Sequence, residues 1–230
     1  MGLIARWTIG PVQPAGYECL YRSITNFTRL YDAKVVICQN GNGWLPEAQG
    51  PVRVLNQKDS LSTTDGPIGV AWKLYPPRIS LNDHEIFIDN DLIVEQRIEE
   101  IDAFLAGDMT LMIEGESRMY GRFENHVPKG YTINSGLFGV PPGFDLGKFL
   151  RFYGSKWEEN CWHSSKTWDE QGLVATALLS YSKHCIISKE TITNCETRLT
   201  RSKGMHFVGL NRREKHKPWQ QYKSCTAKIF

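Results

Sequence analysis

An α/β fold, a mixed central sheet flanked by helices, is predicted by three features of the chain. Short runs rich in Ile, Val and Phe alternate with segments whose apolar residues recur every three and four positions. No internal repeat, low-complexity segment or long linker interrupts that alternation, so residues 1–230 read as one domain. One apolar run, Glu85–Val94, carries two acids near its middle. An open α/β sheet binds ligands beyond the carboxyl ends of its strands, which is where a strand ending in such acids would present them.

Leu3–Ile9 has the character of a first strand, stopped by Gly10-Pro11. From Tyr17 the period changes: Tyr17, Leu20, Tyr21, Ile24, Phe27 and Tyr31 fall on one face of a helix. Ala33–Gln39 is a second strand closed by Asn40–Gly43, and Pro51–Leu55 a short third. Gly66-Pro67 opens a helix with proline in the tolerated first turn, a buried face of Ile68, Ala71, Trp72 and Tyr75, and a stop at Pro76-Pro77. After the acidic run, Ile98, Ile101, Phe104 and Leu105 mark a short helix and Met109–Ile113 a strand. Residues 114–130 are polar and glycine-bearing, and are expected to form a mobile loop. Tyr131–Val140 returns to strand character around Asn134-Ser135-Gly136 and stops at Pro141-Pro142-Gly143. Phe144–Tyr153 and Trp168–Tyr181 read as helices, the second with Leu173, Ala177, Leu178 and Tyr181 on one side, and His184–Ser188 as a late strand. From Arg198 the chain is basic, a pattern expected of a solvated face.

The bulk numbers exclude some classes. With 41% hydrophobic and 23% charged residues the composition is that of a folded soluble protein, and a net charge of +2 gives no electrostatic case for nucleic acid or a membrane surface as partner. Seven Trp, nine Tyr and ten Phe fill cores and also suit a flat-faced ligand such as a base or sugar. Six cysteines form no C-x-x-C pair, and Cys161-Trp162-His163 is a poor zinc spacing, so free thiols in a reducing, cytoplasmic setting are expected. Met1–Arg6 has no apolar run long enough for a signal peptide or membrane anchor.

Asp89-Asn90-Asp91 is the centre of interest. Burying two carboxylates is costly unless a cation or donors compensate, so the pair reads either as ligands of a divalent ion or as an acidic turn. A calcium loop fits badly, because Ile93 and Val94 stand where a ligand and the required glycine belong. Near the other end, Met205–Gly209 puts His206 at a strand edge, before a basic run to Lys217-Pro218-Trp219. There His206 would be a third ligand, with cations alongside.

Taken in order, these segments resemble a known family. Asp89-x-Asp91 after an apolar strand resembles the D-x-D motif of nucleotide-sugar glycosyltransferases of the GT-A fold. His206-Phe207-Val208-Gly209 with Lys217-Pro218-Trp219 resembles the H-F-x-G and K-P-W signature of the glycogenin and bacterial galactosyltransferase family. Asn134-Ser135-Gly136 is similar to that family's N-S-G segment, Trp168–Gly172 to its Asp-Gln segment, and Ala71–Pro76 to its lysine-bearing helix. Three departures are the longer insert Leu210–His216, the intervening Glu170, and a first strand, Arg6-Trp7-Thr8-Ile9, that matches the family's nucleotide-contacting strand only loosely.

The resemblance implies a metal-dependent, retaining transfer of a sugar from a nucleoside-diphosphate donor, UDP-sugar favoured, to a carbohydrate or other hydroxyl acceptor. It implies Mn²⁺, or Mg²⁺, held by Asp91 and His206, with Asp89 shared between ion and ribose. On the donor side it places Lys73 and Lys217 as phosphate-pairing cations, Thr8 and Tyr17 near the base, and Asn90, Ser135, Gly136 and Gly209 as motif positions. Asn134, Asp169, Glu170 and Gln171 would face the sugar and the chemistry. Residues 1–110 would be mainly the nucleotide-sugar half, and 111–230 the acceptor half with the C-terminal metal and phosphate segment. A sugar nucleotidyltransferase, or a non-catalytic nucleotide-sugar-binding protein, would share the acids and cations. The first would release pyrophosphate, and the second would bind donor without turnover.

Overall fold

The computed structural model describes residues 2–40, 52–56, 73–156, 169–213 and 215–227. A seven-stranded sheet is built from β1 (Leu3–Ile9), β2 (Lys34–Gln39), β3 (Val52–Asn56), β4 (His84–Asp89), β6 (Thr110–Glu114), β7 (Ile133–Val140) and β8 (His184–Ile187), in the order β3-β2-β1-β4-β7-β6-β8. β3, β2, β1 and β4 run parallel, β7 is antiparallel to both β4 and β6, and β8 is parallel to β6. A small second sheet joins β5 (Leu92–Val94), β10 (Gly204–His206) and β9 (Ile192–Asn194) in the order β5-β10-β9.

Alternation along β1 and β4 sorts the core. Leu3, Ala5, Trp7, Ile9, Ile86 and Ile88 pack under α1 (Pro14–Leu30) and α2 (Glu99–Ala106). Phe87, Met112, Phe138 and Val140 meet α3 (Leu146–Lys156) and α4 (Asp169–Leu179) on the other face. The buried face of α1 is Gly16, Cys19, Leu20, Ser23 and Phe27, rotated from the tyrosine-bearing face that apolar periodicity predicts. Ser23 is the reason: it accepts from Trp7 Nε1 at 2.8 Å and donates to the Leu92 carbonyl, so a hydroxyl replaces an apolar contact. Helix α4 is buried all round rather than on one side. The expected helix around Ile68, Ala71 and Trp72 lies outside the described residues.

Two polar segments differ from expectation. Residues 114–130 carry a short 3₁₀ turn at Gly121–Phe123, bury Tyr120, Phe123 and Val127, and are tied by Arg118 to Glu124 and to the carbonyls of Val127, Pro128 and Tyr131. The basic tail ends in α5 (Lys217–Thr226), whose buried Trp219 and Tyr222 pack on Phe207. Apolar residues hidden among the lysines thus anchor it. No helix among the described residues is long and apolar enough to cross a membrane, and their cysteines are free thiols.

Inside this frame sits a buried ionic triad. Arg6 of β1 and Glu85 of β4 are both fully buried and pair at 3.1 Å, and Arg78 binds the other carboxylate oxygen at 3.1 Å. The Arg6 guanidinium also lies 4.3 Å from the centroid of Phe87 and donates to the carbonyls of Lys73, Tyr75 and Pro76. Arg78 holds the carbonyls of Ser80, Asp83 and Pro141, and the Ile79 N–H reaches Glu85 at 2.9 Å. The triad therefore straps residues 73–83 across the sheet face that carries Thr8 and Asp89.

Removing Glu85 leaves two buried guanidinium groups without their carboxylate. Glu85→Ala is expected to cost about 3–5 kcal/mol of unfolding free energy. Asp102→Ala, which breaks the exposed and solvent-screened Arg97–Asp102 pair, should cost far less. Denaturant unfolding of the two variants checks this, and equal losses would refute the assigned role of the triad.

Candidate metal centre

Thr8 and Asp89 lie side by side at the carboxyl ends of β1 and β4. Asn90 and Asp91 then turn the chain into β5, so the acidic turn and the proposed ligand pair are one and the same structure. Strand β10 runs antiparallel to β5 with His206 opposite Leu92, and the Phe207 N–H donates to the Asp91 carbonyl at 2.8 Å. That pairing carries a histidine from late in the chain to the two acids. His206 Nε2 lies 3.3 Å from Asp91 Oδ1 and 3.9 Å from Asp89 Oδ2. Ligand atoms of the three residues fall within 4.8 Å of one another.

The donor set fits a divalent cation. Two carboxylates and an imidazole suit an ion of the manganese or magnesium kind. His206 Nδ1 is buried with no partner among the described residues, and the acid pair beside the ring, Asp91 buried and Asp89 half-buried, favours a positive charge there. The ring rests directly on Gly136, where a Cβ would come 2.5 Å from His206 Cε1. Glycine is required here for that close approach. The Asn134-Ser135-Gly136 segment falls where β7 changes register against β6, Phe138 facing Met112 but Asn134 facing Ile113. Such a bulge re-aims side chains, and Asn134 Oδ1 braces it by accepting from the Gly136 N–H at 2.7 Å.

Lys73 closes the other side of the site. Its ammonium meets Asp89 at 3.3 Å, Glu170 at 3.2 Å, and the Ser135 carbonyl and hydroxyl at 3.0 and 3.1 Å. Ser135 in turn donates to Glu170 at 3.1 Å. Burial opposes the charge on Lys73, but Asp89 and Glu170 outweigh it and raise its pKa above the ordinary lysine value. Burial likewise opposes a charged His206, yet the hydrogen bond and charge of Asp91, followed by Asp89, raise its pKa. Burial raises Asp89 against the pull of Lys73, and pushes the Glu170 carboxyl up to about 6.

The remaining predicted residues divide. The first turn of α4 points three ways: Asp169 accepts from the Arg122 backbone N–H at 2.8 Å and side chain at 2.9 Å, Glu170 enters the site, and Gln171 donates to the Met119 carbonyl at 3.0 Å. Asp169 and Gln171 therefore fasten residues 119–122 beside the site. Asn90 faces α1, donating to the Gly16 carbonyl at 3.4 Å and exchanging hydrogen bonds with Asn211. Tyr17 is half-buried against the core under α1, Gly209 makes a left-handed turn (φ 84°) after β10, and Lys217 is exposed at the start of α5. Asn211 belongs to no motif and no apolar period. Its only sequence signal is the insert that contains it.

No family model and no characterised protein sequence matches the chain. Solved structures do. Galactosyltransferase LgtC, in complex with donor and acceptor sugar analogs, matches with a TM-score of 0.62 at 11% identity, over 97% of this chain and 95% of that one. Mouse xyloside xylosyltransferase 1 matches at 0.57 and 11% identity, over 93% of this chain and 100% of that one. A glycosyltransferase involved in glycosylation of the major capsid of PBCV-1 matches at 0.51 and 11%, over 98% of this chain and 100% of that one. Such identities establish likeness of fold. The chain has the GT-A fold, the architecture these transferases share.

The raised Glu170 carboxyl has a sign that can be checked. Its folded form holds the proton more tightly than the unfolded chain. Its stabilising contribution is therefore complete below the unfolded value near 4.5 and is lost as pH rises through about 6. Relative to Glu170→Gln, the metal-free wild type is expected to lose on the order of 2 kcal/mol between about pH 4 and pH 7. Unfolding curves across that range measure it; a pH-independent difference would mean that Glu170 titrates normally.

Proposed function

We propose that the protein is a divalent-metal-dependent glycosyltransferase that moves a sugar from a nucleoside-diphosphate sugar, UDP-sugar favoured, to a hydroxyl of a carbohydrate or other acceptor. The observation that carries this reading is the meeting of Asp89, Asp91 and His206 at the carboxyl edge of a GT-A sheet. The fold likeness to LgtC, solved with donor and acceptor sugar analogs, supports sugar transfer as the chemistry of this scaffold.

Asp91 and His206 would hold the ion, and Asp89 would be shared with the donor's ribose. Bound there, Mn²⁺ or Mg²⁺ would supply Lewis-acid neutralisation of the charge that grows on the leaving diphosphate. Lys73, buried and kept charged by its two carboxylates, is a fixed cation on the donor side, and Lys217 a second from the start of α5. Thr8 and Tyr17 are assigned to the nucleotide side, with Asn90 and Gly209 as supports of the turns around the ion. Ser135 and Asn134 offer uncharged hydrogen bonds suited to sugar hydroxyls. Glu170, with its carboxyl pushed up to about 6, changes protonation near neutral pH and is the group best suited to take or return a proton at the sugar. Asp169 and Gln171 complete the sugar side by holding the 119–122 wall. Residues 1–110 serve mainly the donor and 111–230 mainly the acceptor, in a cytoplasmic setting. Retention of anomeric configuration follows from the motif resemblance.

Calorimetric titration of UDP and GDP, with Mn²⁺ and then with EDTA, tests the reading on wild type and Asp91→Ala. Binding that needs Mn²⁺ and falls at least about tenfold in the variant is expected. No binding of either nucleotide under any condition would remove the reading. Pyrophosphate release on turnover would instead identify a nucleotidyltransferase.

A further inference from the structure

The insert Leu210–His216 separates His206 from Lys217, and at Asn211 it is seated against the Asp89-Asn90-Asp91 turn rather than looped away from it. Leu210 is fully buried, and its N–H donates to the Phe207 carbonyl at 3.0 Å. His216 closes the far end, with Nε2 3.1 Å from the Val208 carbonyl oxygen and Nδ1 accepting from the Trp219 N–H at 3.3 Å. Between these anchors Asn211 reaches back to Asn90, the residue between the two acidic ligands. The two amides satisfy each other: Asn90 Nδ2 donates to Asn211 Oδ1 at 3.1 Å, and Asn211 Nδ2 donates to Asn90 Oδ1 at 3.1 Å. Helix α1 presses on the same spot, since a Cβ at Gly16 would stand 2.4 Å from Asn211 Oδ1.

From this we infer that Asn211 is a positioning residue, clamping the Asp89-Asn90-Asp91 turn so that both carboxylates keep their aim at the ion. The inference rests on the metal-centre reading above. The physical reason is that a tight turn with two like charges tends to splay, and each carboxylate has several free rotamers. A reciprocal amide pair fixes the residue between them with two directional bonds, drawn from the chain segment that follows His206. All three ligands are then referred to one local frame: His206 through the β5–β10 register, and Asp89 and Asp91 through Asn90. Supporting contacts of this kind set ligand orientation and contribute to metal affinity without touching the ion.

The test is Mn²⁺ binding, read by electron paramagnetic resonance of the free ion, in wild type, Asn211→Ala, Asn90→Ala and the double variant. Each single change is expected to weaken Mn²⁺ binding about 10- to 100-fold. The double variant should be little worse than either single one, because both remove the same pair. Gly16→Ala, which displaces Asn211 from the side of α1 and leaves both amides intact, should weaken binding in the same direction. Arg213→Ala, in the same insert but paired with Glu196 at the surface, should leave it unchanged. If Asn211→Ala lowers the melting temperature but binds Mn²⁺ like wild type, the residue is merely structural and the inference is overturned. Wild type that fails to bind Mn²⁺ would overturn the metal-centre reading itself, and this inference with it.

Discussion

The Arg6–Glu85–Arg78 triad is the constraint on which the rest of the molecule depends. Charges this deep are tolerable only when every one has a partner, and here the partners come from β1, β4 and the segment between them. One Arg6 nitrogen holds the Lys73 carbonyl, so the same network that neutralises the buried carboxylate also fixes the backbone of the site's cation. From Lys73 the order passes to Asp89, Ser135 and Glu170, and from Asp89 to His206. A structural ion cluster and a candidate metal centre therefore share one sheet face, at different depths.

Much of the frame was legible because its signals are local. Strands β1 and β4 are mainly apolar and buried along nearly their whole length, as central strands covered on both faces need to be. The acids at the end of β4 stood out because carboxylates are out of place in such a run, and His206 and Gly136 were legible through motif resemblance. The charges of Arg6 and Glu85 were equally out of place, but only the register of β1 against β4 brings them onto one face. Ser23 and Gly16 leave no mark in the sequence, and Asn211 only the insert that contains it. A serine on a helix face, an asparagine in an insert and a glycine near a helix start are ordinary until tertiary contacts define their work. The all-round burial of α4 is hidden from apolar periodicity for a related reason: a helix covered on every side has no polar face from which to read a direction.

The first turn of α4 explains how polar residues can be buried in consecutive positions. Asp169, Glu170 and Gln171 are each nearly inaccessible, and each is assigned to a different neighbour: Arg122, the Lys73–Ser135 pair, and the Met119 carbonyl. A helix start is a favourable place for such a set, because its dipole favours acids there. The segment at 119–122 and the buried Lys73 ammonium are thereby referred to the same rigid element. Substitutions in that segment should be felt at Lys73 through α4 rather than through solvent.

The β5–β10 register also sets what lengths evolution could vary. His206 reaches the acids only because it stands opposite Leu92, and strand side chains alternate between faces. One residue gained or lost within 204–206 would turn the imidazole away and bring an apolar neighbour to the two acids. The long excursion from Val94 to Gly204 is under no such count. Its loop connections can grow or shrink while the two short strands still meet in the same register, so long as Gly136 of β7 stays against the imidazole.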